Sequence, residues 1–171
     1  MEEIEVKFRV DETGTLAEKL RGLGFKLTAE RHYEHNFLLD DAAGTLQKSG
    51  RVLRVRQTPD SHTVTFKGPI HTPSKAKRRE EIECRVESAD TMLRILEQAG
   101  FQVRMEYAKY RTVFEKDSFH IALDETKAGN YMEIEGPSDQ AIMQLAEKLG
   151  YSEQNSVRQT YAELIGESRA G

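Results

Sequence analysis

The sequence predicts an α+β fold: a closed antiparallel β-sheet with amphipathic helices on its outside. Three observations lead there. Most segments alternate apolar and charged residues with a period of two, as strands with one buried face do. Between them lie stretches with apolar residues at helical spacing, each closed by a glycine. The charged strand faces are also too rich in paired ions for a sheet facing water, which normally carries Thr, Ser, Gln and scattered charges.

In chain order, EIEVKFRV sets Ile4, Val6, Phe8 and Val10 against Glu3, Glu5, Lys7 and Arg9. The first helix is TLAEKLRGLGF, with Leu16, Leu20 and Leu23 on one face and Gly24 as its stop. HNFLLDD is a strand with a continuous apolar run, and AAG at 42–44 a turn. RVLRVRQ and TVTFKGP alternate as strands. Residues 68–79, GPIHTPSKAKRR, combine Pro69 and Pro73 with a basic cluster and are expected to form a flexible loop. EEIECRV and then SADTMLRILEQAGF repeat the strand–helix pattern, with Ser88 or Asp90 as cap and Gly100 as stop. YAKYRTVFE, SFHIALDE and YMEIEG are strands, with KDS at 116–118 a turn. A third helix runs from a Ser138 cap to Gly150, and SVRQTYAELIGE reads as a short closing helix. The span 3–40 is echoed by 81–114, an internal two-fold repeat. No linker divides the chain, so residues 1–171 are expected to form a single domain.

Composition narrows the function. Of 171 residues, 32% are charged, above the usual share of about 25%, which suits a soluble protein with a polar interior or surface. The net charge of −4 is too mild for a nucleic-acid binder. The basic run KAKRR at 75–79 lacks the interleaved aromatics of an RNA site and reads as a solvated loop or lid. No stretch approaches the ~20 apolar residues of a membrane span. The N-terminus carries no apolar signal region. One cysteine, Cys84, excludes an internal disulfide and fits a reducing cytoplasm; its expected place is the apolar side of a strand.

The polar strand faces hold Glu3, Glu5, Lys7 and Arg9; Arg54 and Arg56; Thr65 and Lys67; Glu81, Glu83 and Arg85; Lys109 and Arg111; His120 and Asp124; Glu133 and Glu135. If the sheet closes with its apolar side against the helices, these charges point inward. A barrel of about eight strands encloses room for side chains or one small ligand. An interior so charged cannot stay dry, and water, metal and a polyanion must share it. Carboxylates without histidine or cysteine partners are hard ligands suited to Mg²⁺ or Mn²⁺. Guanidinium forks and lysines bind phosphate oxygens. Together they describe a metal-bound polyphosphate. His32, His35, His62 and His71 lack metal spacing, and Tyr107, Tyr110 and Tyr161 are expected as outer packing.

In order and spacing, ExExK at Glu3, Glu5 and Lys7, LRVR at 53–56, TFKGP at 65–69, REEIE at 79–83, KYR at 109–111, LDE at 123–125 and EIEG at 133–136 resemble the CYTH family. These are the triphosphate tunnel metalloenzymes, which include class IV adenylyl cyclases, thiamine triphosphatases and inorganic triphosphatases. The resemblance implies an eight-stranded antiparallel β-barrel, or tunnel, holding a triphosphate and one or two Mg²⁺ or Mn²⁺ ions. By position, Glu3, Glu5, Glu133 and Glu135 would ligate metal, with Asp124 also counted among the ligands. Lys7, Arg54, Arg56, Lys67, Lys109 and Arg111 would grip phosphate. Lys7, Glu81, Glu83 and Asp124 are the candidate catalytic residues. The implied activity is hydrolysis of inorganic or organic triphosphate, with cyclisation of ATP as the alternative and a non-catalytic polyphosphate or nucleotide binder as a second. Where the family often reads YFDT, this chain has LLDD at 38–41. A homodimer is expected from the cyclase relatives only.

Overall fold

The computed structural model describes residues 2–70 and 76–169. Its strands are β1 (Glu2–Val10), β2 (Lys26–Asp40), β3 (Val52–Gln57), β4 (His62–Lys67), β5 (Lys77–Val86), β6 (Gln102–Lys116), β7 (Phe119–Thr126), β8 (Gly129–Glu135) and β9 (Ser156–Val157). Its helices are α1 (Thr13–Gly22), α2 (Thr45–Lys48), α3 (Ala89–Gln98), α4 (Asp139–Leu149) and α5 (Tyr161–Arg169). The strands pair antiparallel in the order β5-β4-β3-β2-β6-β7-β8-β1, and β1 also pairs with β5. Eight strands therefore close into a ring, which leaves the main sheet without a free edge. The short β9 lies on β1 at Lys7 and Phe8, beyond the stretch of β1 that β5 covers.

The ring has an internal two-fold pattern. The run β1-α1-β2-β3-β4 matches β5-α3-β6-β7-β8; β1 and β5 each lie between two strands of the other half, and β2 pairs with β6 on the opposite side of the ring. β2 and β6 have equal length, 15 residues each, and α1 and α3 have 10 residues each. Gly24 and Gly100 end the two helices at positive φ, 82° and 95°, a conformation that glycine adopts without a Cβ penalty.

Local signals act as expected at most element ends. The Ser88 hydroxyl accepts from Thr91 N–H at 3.2 Å and Ser138 accepts from Ala141 N–H at 3.2 Å, capping α3 and α4. In LLDD the Asp40 carboxylate accepts from the N–H groups of Asp41, Leu46 and Gln47 at 2.8–2.9 Å. It thus ties the end of β2 to α2.

The apolar core lies outside the ring. Val6, Phe8, Ile121, Leu123, Met132 and Ile134 project outward to meet Leu16 and Leu20 of α1 and Ile142, Ala146 and Leu149 of α4. A second cluster packs Leu39 and Val55 under α3. Burying each of these larger side chains contributes roughly 1.5–3 kcal/mol. Because they face out, the ring interior is left to the charges.

Three expectations need correction. Residues 68–79 are not all loop: Lys77, Arg78 and Arg79 belong to β5 and pair with Glu5, Ile4 and Glu3 of β1. Opposite charge across the seam outweighs the loop composition. Residues 71–75, with His71, lie outside the described residues. Cys84 lies on the outer face of β5 but is exposed, as is Ile82 beside it, because α3 packs chiefly on β3 and β4. The closing segment is not one helix: Ser156–Val157 forms β9 before α5 begins.

Gly136, directly after the final EIE, donates its N–H to the Ile4 carbonyl at 3.2 Å. A Cβ there would stand 2.8 Å from the Phe119 ring and 2.9 Å from Ile142. Gly136→Ala is expected to destabilise the fold by about 1–3 kcal/mol in chemical denaturation, the usual cost of overpacking.

Candidate active site

Inward side chains of all eight ring strands enclose a cavity of about 1260 Å³. Glu3, Glu5 and Lys7 of β1, Arg54 and Arg56 of β3, and Lys67 of β4 line it. So do Glu81 and Glu83 of β5, Lys109 and Arg111 of β6, and Glu133 and Glu135 of β8. Asp124 of β7 lies behind this wall and is wholly buried. Period two put the residues on one face, and ring closure made that face the inside.

Three ionic groups divide the lining. The first centres on Asp124. Its carboxylate accepts from Lys109 at 3.0 Å, from both Nε and Nη2 of Arg111 at 2.7 and 2.6 Å, and from the Tyr161 hydroxyl. Arg111 also donates to Glu133, which Lys7 approaches at 3.5 Å. Glu34 of β2 completes the group, 3.6 Å from Lys109 and 3.7 Å from Arg56. Burial works against the charge on Glu133, but Arg111, Lys7 and Lys109 hold its pKa well below the usual carboxylate range. Glu34 is likewise lowered by Arg111 and Lys109 despite its burial. Removing one partner from so buried a network typically costs about 3–5 kcal/mol.

The second group is a pair of arginines. Arg56 donates to Glu83 at 3.2 Å, and Arg54 donates to Thr65, whose hydroxyl in turn donates to Glu83 at 2.7 Å. The Nε of Arg54 and the Nε of Arg79 are buried with no hydrogen-bond partner among the described residues. Arg54 and Arg79 are therefore cavity-lining guanidiniums whose donors the described residues do not saturate.

The third group is acidic. Lys67 donates to Glu3 at 3.0 Å and also pairs with Glu81, while Lys77 stands 4.0 Å from Glu5 and Arg79 4.0 Å from Glu3. Burial and a hydrogen bond with Glu81 raise Glu3, whereas Glu81, despite its burial, is lowered by that bond and by Lys67. Partial burial and the charges of Glu3, Glu5 and Glu81 push Glu135 up to about 7. With burial, the mutual repulsion of these carboxylates is what raises Glu135.

Several lining residues were not among the sequence candidates. Lys77 and Arg79 were hidden in the basic run, and Glu34 and His32 in a stretch whose neighbours are polar on both faces. Tyr107 and Tyr161, expected as outer packing, both line the cavity; α5 turns back over the ring and brings Tyr161 in. Tyr110 does lie outside, edge-on to Tyr33. His120, expected on the inner face, lines the cavity 3.4 Å from Glu115 and 3.9 Å from Glu135.

The model of the CYTH domain family matches residues 1–161. The chain belongs to the CYTH family. A relative from Methanocaldococcus jannaschii, named "Putative adenylate cyclase MJ0240", is 27% identical over 97% of this CYTH chain and 99% of its own length. Solved structures share the fold. One from Vibrio parahaemolyticus, described as a "putative adenylate cyclase", superposes with a TM-score of 0.84 at 22% identity, over 96% of this chain and 97% of its own. Another, from Hippeastrum and described as a "putative adenylyl cyclase" with a dominant triphosphatase activity, gives 0.73 at 19% identity, over 97% and 96%. No helix among the described residues is long and apolar enough to cross a membrane.

The raised Glu135 makes a signed prediction for metal-free protein. The native state keeps a proton that the unfolded chain releases above its ordinary value of 4.5, so this group's contribution to stability falls as pH rises from 4.5 to about 7. Thermal melts in EDTA should therefore show the advantage of Glu135→Gln over wild type growing across that window and levelling above it. An advantage that shrinks with rising pH would contradict the assignment.

Proposed function

We propose that this CYTH protein is a metal-dependent triphosphatase that hydrolyses inorganic or organic triphosphate inside the ring. One observation carries the reading: a cationic wall, with guanidinium donors that the described residues do not satisfy, shares one cavity with a cluster of mutually repelling carboxylates. A polyphosphate satisfies the first wall and a divalent cation the second.

The donor set fits Mg²⁺ or Mn²⁺. Its members are carboxylates, the hard ligands these ions prefer, and the repulsion that raises Glu135 is relieved by positive charge. Among the described residues no three such donors stand as a ready-made cage. Mg²⁺ does not need one, since it usually takes one or two carboxylates and completes its shell with waters and phosphate oxygens. Glu3, Glu5, Glu133 and Glu135 would hold the ion. Bound there, it supplies charge neutralisation at the phosphates and lowers the pKa of ligated water.

The chain's own residues do the rest. Arg54, Arg56, Arg111 and Lys67 bind phosphate oxygens, and Lys7 and Lys109 add charge from beneath. Asp124, engaged by Lys109, Arg111 and Tyr161, aims those cations rather than meeting the substrate. Glu81 and Glu83 orient a water for in-line attack on the terminal phosphorus. The phosphorus–oxygen bond to the bridging oxygen breaks, and orthophosphate leaves with a shortened phosphate chain. Such transfer rests largely on positioning and charge stabilisation, which a rigid ionic ring provides.

Cyclisation of ATP is the second reading. It is favoured by the name of the archaeal relative and by Leu38, Leu53 and Met105, which give the cavity an apolar stretch beside Arg54 where an organic group has room. Product analysis separates the two. Tripolyphosphate, thiamine triphosphate and ATP are each incubated with Mg²⁺ or Mn²⁺. Orthophosphate formed faster from tripolyphosphate than cyclic AMP from ATP is the expected result, and dominant cyclic AMP with pyrophosphate would reverse the order. Glu5→Ala should remain folded by circular dichroism and lose about a hundredfold or more in kcat/KM, the scale of several kcal/mol of metal-assisted stabilisation. Wild-type turnover in that variant would refute the site.

A further inference from the structure

We propose that Tyr161 is a positioning residue, whose ring holds both Lys7 and Lys109 against it and whose hydroxyl fixes the Asp124 that aims Lys109 and Arg111. The assignment rests on the phosphate-binding role proposed above for those cations.

Tyr161 opens α5, and its anchorage is firm. It is 6% exposed and packs with Tyr131, Ile165 and Tyr107, its ring edge-on to Tyr131 at 5.6 Å. The segment before it grips β1: Val157 pairs with Lys7, and the Gln159 carbonyl accepts from the Lys7 ammonium at 3.1 Å.

Two ammonium groups meet this one ring. Lys7 Nζ lies 3.8 Å from its centroid and Lys109 Nζ 4.5 Å. Each ammonium also has a carboxylate of its own, Glu133 at 3.5 Å from Lys7 and Asp124 at 3.0 Å from Lys109. The ring adds a quadrupole that attracts both cations and takes no charge from either. The Tyr161 hydroxyl meanwhile donates to Asp124, whose carboxylate already takes Lys109 and Arg111. Burial and the Asp124 charge raise the phenol's pKa well above 10, so it stays a donor. One side chain thus sets three of the six candidate phosphate-binding cations.

The test compares Tyr161→Phe, which keeps the ring, with Tyr161→Leu, which loses it, in the full chain. Tripolyphosphate binding in Mg²⁺ is measured by calorimetry, alongside kcat and KM. Tyr161→Leu is expected to weaken binding about tenfold or more, the loss of a desolvated cation–π contact. Tyr161→Phe, which keeps the ring against both lysines and loses only the bond to Asp124, should recover most of the affinity. Should Tyr161→Leu fail to fold, Tyr161→Met fills the same cluster and is held to the same expectation. Wild-type affinity in the ring-less variant overturns the assignment. So does equal weakening of both variants, which would leave the ring's contact with the lysines without effect. If wild-type protein itself binds no triphosphate, the functional reading falls and takes this assignment with it.

Discussion

Everything in this structure follows from placing charge inside a closed ring of strands. Such charge must be matched where it stands, because the surrounding wall gives it little solvent. The strand register does the matching. Lys7 faces Glu133, Lys109 faces Glu34, Arg111 faces Asp124, Lys67 faces Glu81 and Glu3 faces Arg79 as direct cross-strand partners. A slip of one residue at any pairing would send charges into the outer core and apolar side chains into the cavity. The ionic interior and the apolar exterior therefore specify the same register twice.

The two halves of the ring share a frame but not a charge pattern. β3 carries Arg54 and Arg56 where its counterpart β7 carries Ala122 and Asp124, and β4 carries Thr65 and Lys67 where β8 carries Glu133 and Glu135. The excess of carboxylate collects on β1, β5 and β8. The unsatisfied guanidinium donors sit on β3, at Arg54, and across β4 on β5, at Arg79. A single cavity can then receive a cation and a polyanion at different walls. That arrangement suits hydrolysis and cyclisation alike, since both begin with a triphosphate held straight and neutralised.

Much of this was legible in the sequence because period two survives wherever a strand separates an ionic face from an apolar one. Glu3, Glu5, Lys7, Arg54, Arg56, Lys67, Glu133 and Glu135 announce themselves in that way. The pattern fades where a strand is polar on both sides. Residues 26–34 of β2 are largely exposed, so no alternation marks the strand before His35 and nothing in the sequence sets Glu34 apart. Lys77 and Arg79 look like loop until their partners Glu5 and Glu3 are known, and that partnership is tertiary. Tyr161 gave no local signal at all. Its helix has an ordinary alternation, and only the return of the chain over the ring turns a packing residue into a lining one.

Closure of the ring also sets an order of assembly. β1 is synthesised first, yet its neighbours are β5 and β8, and β8 emerges only after most of the other strands. Until then β1 has an open edge and a half-apolar face, the kind of segment that invites pairing with other chains. Its Glu3, Glu5, Lys7 and Arg9, needed later for the cavity, meanwhile act as gatekeepers that keep the waiting strand dispersed. The nascent chain thus draws on the same ions for protection that the finished ring turns inward.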